Sequence, residues 1–146
     1  MVARVLLPVD DREHARRACN LAVELFPGDQ LVLVLVHVVN PADAGYSPEG
    51  AVSGIGEDWY ERQQDDAAAL FDDIEAHVRA QEDNVEFERH IEVGRPARSI
   101  VRYVEEGDAD HIVMGSHGRR GVSRLLLGSV AESVVRRSPV PVTVVQ

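Results

Sequence analysis

Four segments of the chain are almost continuously apolar, which is typical of strands buried on both faces of a parallel sheet. These predicted strands span residues 2–9, 31–39, 111–115 and 140–145. A fifth segment, residues 85–93, alternates, with Val85 and Phe87 on one face and Glu86 and Glu88 on the other. Alternation predicts a strand with one face in water, so we place this strand at an edge of the sheet.

Between the strands, apolar residues recur at the 3.6-residue period of a helix that buries one face. The predicted helices contain the apolar positions 15–26, 67–78 and 97–104, and a last stretch from about Ser129 to Arg137. Pro27-Gly28 ends the first helix, the third stops near Gly107, and Pro139 prevents the last from continuing. Each predicted helix therefore connects two predicted strands.

This alternation of strands and helices predicts an α/β fold, with one five-stranded parallel sheet, right-handed crossovers and helices on both faces. Because the third strand belongs at an edge, we predict the order 3-2-1-4-5, a Rossmann-like sheet in one domain spanning residues 1–146. The winding then reverses between strands 1 and 4, where open α/β sheets bind ligands beyond the carboxyl ends of the strands. The long irregular stretch 40–56 is either a mobile lid near the ligand or a surface loop.

Composition excludes several classes of site. The 146 residues include 25 acidic and 15 basic side chains, for a net charge of −10, and every basic residue is arginine. Without lysine, a Walker A loop and Schiff-base catalysis are excluded. The negative charge disfavours nucleic acid and anionic membranes as partners. The acidic, lysine-free composition indicates either adaptation to high salt, as in halophilic proteins, or a codon bias that favours arginine.

The chain has no apolar run near the roughly 20 residues that a membrane span needs. Its opening residues lack the pattern of a secretory signal, so we expect a cytoplasmic protein. The single cysteine, Cys19, cannot form an internal disulfide, which agrees with a reducing compartment.

The segment after strand 4 has the residues expected of a phosphate-binding loop. Gly115 and Gly118 let the backbone approach a ligand closely, and Gly128-Ser129 opens the last helix, whose N–H groups and dipole favour an anion. Three arginines add positive charge: Arg119, Arg120 and Arg124. The alternative is an ordinary turn followed by a capping box, in which Ser129 caps the helix and Glu132 completes the motif.

The first two strands end beside that loop in the predicted sheet. Strand 1 ends in Pro8-Val9-Asp10, and Asp10 could contact a ribose hydroxyl or a base edge. Alternatively, or in addition, Asp10 opens a capping box with Glu13 for the first helix. At the end of strand 2, the backbone of Val38 could pair with an adenine edge while its side chain packs on the ring.

The spacing Gly115-x2-Gly118-x9-Gly128-Ser129 is similar to the ATP-binding signature G-2x-G-9x-G-(S/T) of the universal stress protein family, and matches it throughout. Four further segments resemble that family in the right order: residues 5–10, 37–39, 94–97 and 138–142. The resemblance covers essentially the whole chain. It implies an adenine nucleotide alpha hydrolase-like fold that binds ATP, AMP or ADP, with Mg²⁺ or Mn²⁺ bound through the phosphates.

The resemblance also implies a set of ligand-binding residues. They are Pro8, Val9, Asp10, Val38, Met114, Gly115, Ser116, His117, Gly118, Arg119, Arg120, Gly128, Ser129 and Val130. Asp10 and Val38 would contact the adenosine part, and the glycine-rich segment would surround the ribose and phosphates. Three positions depart from the family: Asp11 and Arg12 stand where many members have a small residue and then serine, and Ala131 lacks a hydroxyl that some members have.

The family further implies a regulatory stress-response module that forms a homodimer through its closing strand, residues 140–145. No general base or nucleophile accompanies the loop, so we predict no catalytic residue and no efficient enzyme. Two alternatives stay open, a nucleotide-independent interaction module of the same fold and a slow ATPase. A flavin or nicotinamide protein is disfavoured because no G-x-G-x-x-G follows strand 1.

Overall fold

The computed structural model describes residues 2–27, 30–44, 55–116 and 127–146, and within these ranges strands and helices alternate as predicted. The strands are β1 (Val2–Pro8), β2 (Gln30–Val39), β3 (Val85–Val93), β4 (His111–Gly115) and β5 (Val142–Val145). The helices are α1 (Arg12–Leu25), α2 (Ile55–Arg79), α3 (Pro96–Glu106) and α4 (Ser129–Arg137). A short 3-10 helix, Pro41–Ala44, follows β2.

The five strands form one sheet in the order β3-β2-β1-β4-β5, and all neighbouring strands are parallel. The predicted order is therefore confirmed. The alternating strand β3 lies at one edge of the sheet, as expected from its charged face, and β5 lies at the other.

Both faces of the sheet are covered by helices. Successive strand residues direct their side chains to opposite faces, so each face has its own buried cluster. On one face, Leu7 and Leu33 belong to a buried cluster with Phe71, and this cluster contains the apolar residues of α1 and α2. On the other face, Leu6 and Ile112 belong to a second cluster, which contains those of α3 and α4. The prediction of a doubly covered sheet is confirmed.

At the predicted reversal of winding, the ladders on the two sides of β1 differ in length. β1 pairs with β2 along its whole length, as far as Pro8 opposite Val36. With β4 it pairs only at Val5 opposite His111 and Leu6 opposite Ile112. The carboxyl ends of β1 and β4 are thus adjacent without being joined by a ladder, which leaves room for a ligand between them.

Three predicted strand boundaries are wrong, and that of β5 has a simple cause. β2 begins at Gln30, one residue before its predicted start. β5 begins at Val142 instead of residue 140, since Pro141 has no N–H to donate to a ladder. Its carbonyl oxygen still accepts from the Ile112 N–H at 2.9 Å. β1 ends at Pro8, one residue early, although the Val9 N–H donates to the Val36 carbonyl at 2.9 Å.

The apolar face of β3 is buried over only part of its length. Val85 is buried, whereas Ile91 and Val93 are 37% and 51% exposed. Among the described residues, the ion pairs and ring contacts between α2 and β3 involve only Phe87 and Arg89 of the strand. The second half of the strand therefore keeps an apolar face that α2 does not cover.

The irregular stretch 40–56 is shorter than predicted, because α2 begins at Ile55 and the 3-10 helix occupies Pro41–Ala44. Residues 45–54 lie outside the described part of the chain. The choice between a lid and a surface loop stays a prediction.

Candidate functional site

Asp10 follows β1 at the carboxyl edge of the sheet, and its neighbour Asp11 caps α1. Asp11 Oδ1 accepts from the His14 N–H at 2.9 Å, and Asp11 Oδ2 lies 2.7 Å from His14 Nδ1. The capping box predicted to begin at Asp10 is therefore wrong by one residue. The exposed carboxylate of Asp10 is not the cap of this helix.

Asp10 lines a cleft of about 290 Å³, which is close to the smallest clefts that bind small ligands, about 300 Å³. The cleft is also lined by Asp11, Arg12, His37, Asp66, Ala67, Ala69 and Leu70. The lining contains three carboxylates, those of Asp10, Asp11 and Asp66, and one guanidinium, that of Arg12. The wall of the cleft therefore has a net negative charge, which disfavours a phosphate group. The cleft suits an uncharged part of a ligand, such as a nucleoside. Arg12, the departure noted in the sequence, lies on its wall.

His37 is buried at the end of β2, with 5% of its surface exposed. Its Nδ1 lies 2.9 Å from the carbonyl oxygen of Val9. Because a carbonyl oxygen only accepts, Nδ1 must carry the proton, and Nε2 is an acceptor when the ring is neutral. Sequence reasoning did not select this residue, although a histidine in an otherwise apolar strand was a signal that could have found it.

The other predicted residues of strands 1 and 2 lie around the same edge. Pro8 ends β1 and is half-buried, whereas Val9 is buried in the cluster under α1 and α2. Val38 is half-buried and packs on the opposite face, against the cluster under α3 and α4. The structure thus brings Asp10 and Val38 to one edge of the sheet, on neighbouring strands.

The end of β4 and the start of α4 lie next to each other. Met114 is buried, and Gly115 ends the strand. The Ser116 N–H donates to the Val145 carbonyl at 2.8 Å, and the Ser116 carbonyl accepts from the Gly128 N–H at 2.7 Å. This second bond joins the end of β4 to the start of α4. The predicted site residues between them, His117, Gly118, Arg119 and Arg120, lie outside the described residues.

The start of α4 presents backbone donors at the carboxyl edge of β4. Its N-cap is Gly128, no side chain caps it, and the Glu132 N–H makes a first helical bond to the Gly128 carbonyl at 2.9 Å. The N–H groups of Ser129, Val130 and Ala131 precede that bond and have no acceptor within the helix. Together with the helix dipole they form an environment that favours an anion.

The capping box predicted at Ser129 is wrong, because Ser129 is the first helical residue and not the cap. Its side chain is exposed, and no side-chain hydrogen bond caps the helix. The structure therefore excludes Ser129 as the cap of α4, and the phosphate-binding role of the preceding segment stays a prediction. At the start of α4, the backbone N–H groups of the first turn are therefore not capped by a side chain.

Three other properties of the described residues concern a metal site, a reactive thiol and a membrane span. Among them, no group of three or more histidine, cysteine, aspartate or glutamate side chains is arranged to hold a metal ion. Cys19 is fully buried, and burial raises the pKa of its thiol to about 12, so the thiolate nucleophile is scarce at neutral pH. None of the described helices is long and apolar enough to cross a membrane.

Comparison with known proteins agrees with this architecture. The model of the universal stress protein family matches residues 1–146. Universal stress protein MJ0531 of Methanocaldococcus jannaschii is 30% identical over 144 residues, which cover 98% of this chain and 81% of that protein. The structure of protein MJ0577 from the same organism has a TM-score of 0.83 at 27% identity, over 97% of this chain and 94% of that chain. A universal stress protein from Archaeoglobus fulgidus, solved in complex with dAMP, has a TM-score of 0.63 at 23% identity, over 100% and 98% of the two chains.

Proposed function

The chain belongs to the universal stress protein family, and from that premise we propose that it binds an adenine nucleotide at the carboxyl edge of β1, β2 and β4. One observation carries the proposal. The bond between the Ser116 carbonyl and the Gly128 N–H joins the start of α4 to the end of β4, at the carboxyl edge of the sheet. The glycine-rich segment that joins these two residues matches the family's ATP-binding signature.

The electrostatics of the edge give the nucleotide an orientation. The phosphates lie at the start of α4, where the N–H groups of Ser129 and Val130 favour negative charge. The adenosine part lies towards Asp10 and Val38, because the acidic cleft on that side disfavours phosphate. His117, Gly118, Arg119 and Arg120 complete the phosphate side, the two arginines by their positive charge.

The ligand we propose is ATP, ADP or AMP, with Mg²⁺ or Mn²⁺. The dAMP complex of the Archaeoglobus relative supports an adenine nucleotide, and the spacing of the glycines supports a phosphate chain. The ion would be bound through the phosphates, as the resemblance to the family implies. When bound, it neutralises part of their charge.

We propose regulation by nucleotide binding instead of catalysis. The chain has no lysine for the phosphates. Sustained hydrolysis that depends on Ser129 or His117 would make the protein a slow ATPase. We propose a cytoplasmic location, which the single buried cysteine supports because it cannot form an internal disulfide.

The strand edges favour a homodimer through β5. The exposed edge of β5, Val142–Val145, carries no charge, and its four residues are half-buried in the single chain. Antiparallel pairing of β3 with a second β3 about Arg89 would place Glu86 opposite Glu92, which is unfavourable. Charged edge strands resist pairing, and uncharged ones allow it. We therefore propose that a second copy pairs along β5.

The test of nucleotide binding is a thermal melt with and without millimolar ATP and Mg²⁺, on wild type and on Gly118→Val. A ligand at 100 times its Kd adds about 2.7 kcal/mol to the free energy of unfolding. For a chain of this size that raises Tm by about 5–10 °C. The expected result is a shift in the wild type that is absent in Gly118→Val, while both proteins have similar Tm values without ligand.

Gly121→Val is the matched control, because it makes the same change in the same segment at a position outside the signature. Gly121→Val should keep the increase in Tm that ATP and Mg²⁺ produce in the wild type. No shift of the wild type with ATP, ADP or AMP would contradict the proposal and favour the nucleotide-independent interaction module.

A further inference from the structure

The ladder between β1 and β2 stops before β2 does. Its last pair is Pro8 opposite Val36, whereas β2 continues beside β3 as far as Val39 opposite Val93. The carboxyl end of β2 therefore has a partner strand on the β3 side only.

The peptide groups of β2 alternate between its two neighbours. The Val36 carbonyl accepts from the Val9 N–H on the β1 side, and the Val39 carbonyl accepts from the Gly94 N–H on the β3 side, both at 2.9 Å. Val38 has the parity of Val36, so its N–H and C=O face the β1 side.

In a continuing parallel ladder, the Val38 N–H would donate to the Val9 carbonyl. That carbonyl instead faces the ring of His37, whose Nδ1–H donates to it at 2.9 Å. No backbone hydrogen bond between Val38 and Val9 exists in the described structure. The partner that the Val38 carbonyl would have in such a ladder is the Asp11 N–H, and no hydrogen bond between these two groups exists in the described structure either.

His37 thus occupies the hydrogen-bond position that would extend the ladder. The ring is 95% buried, where a polar group is costly unless it is hydrogen-bonded, and Val9 supplies its bond. The neighbouring positions of β2 are apolar, so packing alone does not require a histidine here.

We propose that His37 is a positioning residue that keeps the backbone edge of Val38 open to recognise the base of the ligand. This inference rests on the proposed nucleotide function. The Val38 N–H and C=O form a donor beside an acceptor, which complements a ring nitrogen beside an exocyclic amino group. Adenine has that pattern at N1 and N6. Hypoxanthine has the reverse pattern, a ring N–H beside a carbonyl, and is disfavoured.

The test compares two substitutions of similar size and shape. His37→Asn keeps an N–H donor near the position of Nδ1, and His37→Leu removes it. In His37→Leu the freed Val9 carbonyl is buried without a partner, so the Val38 N–H closes onto it and the ladder extends. Circular dichroism and thermal melts show that both variants are folded before they are compared.

The first measurement needs no ligand. Hydrogen exchange of the Val38 amide, followed by NMR, should be fast in the wild type and in His37→Asn and at least tenfold slower in His37→Leu. A protected Val38 amide in the wild type, or equal exchange in all three proteins, would overturn the ladder argument even if the protein binds ATP.

The second measurement is the ratio of the Kd values for ITP and ATP. Two backbone hydrogen bonds to the base make a ratio of about tenfold or more. It should persist in His37→Asn and fall towards one in His37→Leu, while binding of inorganic tripolyphosphate stays the same. An unchanged ratio in folded His37→Leu would refute the role of His37. A wild type that binds neither nucleotide would instead refute the proposed function, and the exchange measurement would still decide the ladder argument.

Discussion

Replacing Arg89 with leucine should destabilise the protein by about 2–3 kcal/mol, because it leaves the buried carboxylate of Glu75 with a weaker partner. Arg89 lies on β3 and donates through Nε to Glu75 Oε2, and its NH2 group lies 2.6 Å from Asp72 Oδ1. The Glu75 side chain is only 11% exposed. Removing one member of a buried ion pair costs about 3–5 kcal/mol. We expect less, since Arg79 stays 3.3 Å from Glu75 and the Arg89 side chain is 37% exposed.

Urea unfolding at pH 7 measures the effect as a shift in Cm at constant m. The matched control is the double variant Glu75→Leu with Arg89→Leu, in which no buried charge is left behind. It should recover most of the lost stability, so the double-mutant cycle gives a coupling free energy of about 1–3 kcal/mol. A loss below about 0.5 kcal/mol in Arg89→Leu would contradict this prediction, because it would show that the pair contributes no more than an exposed ion pair does.

Three further predictions concern the dimer, the acid response and the thiol. Thr143→Glu places a charge in the centre of β5, so sedimentation equilibrium should show a monomer where the wild type is a dimer; a dimeric variant would contradict pairing along β5. The hydrogen bond from Arg4 holds the pKa of Glu88 below its ordinary value, so the pair contributes stability above that ordinary value and loses it as pH falls through the lowered one. Melts from pH 7 to pH 3 should therefore show a smaller acid-induced decrease in Tm for Arg4→Met than for the wild type, and equal decreases would exclude this linkage. Cys19 should react with a thiol reagent at the rate of global unfolding, and fast reaction of the native protein would contradict its burial and raised pKa.

Much of the fold was accessible from the sequence because its elements are long and strongly patterned. The continuously apolar segments predicted β2 and β4, and the charged alternation of β3 predicted its place at the edge. Chain order and the right-handed crossover rule then left few topologies. The site was accessible only in outline. Glycine spacing and strand ends indicated where a nucleotide would lie, and the residues 117–120 are not among those that the structure describes.

The errors at the helix starts are offsets of one residue, and each offset changes which side chain is available to a ligand. Both predicted capping boxes began at the wrong residue. At α1 the cap is Asp11 instead of Asp10, and at α4 it is Gly128 instead of Ser129. A capping pattern states which residue types are suitable, but the cap is decided by which residue lies at the turn into the helix. That position depends on where the preceding strand ends in the sheet.

The kind of sheet, the order of its strands and the end of it that could bind a ligand could all be predicted before the chain was seen folded. These follow from periodicity and chain connectivity, which are local properties of the chain. Two contacts became visible only in the folded chain: the bond between Ser116 and Gly128, and the bond of His37 to the carbonyl that Val38 would otherwise use. Both contacts join residues that are distant along the chain, and the orientation of their hydrogen-bonding groups is set by strand register. Register comes from packing the whole sheet between its two layers of helices.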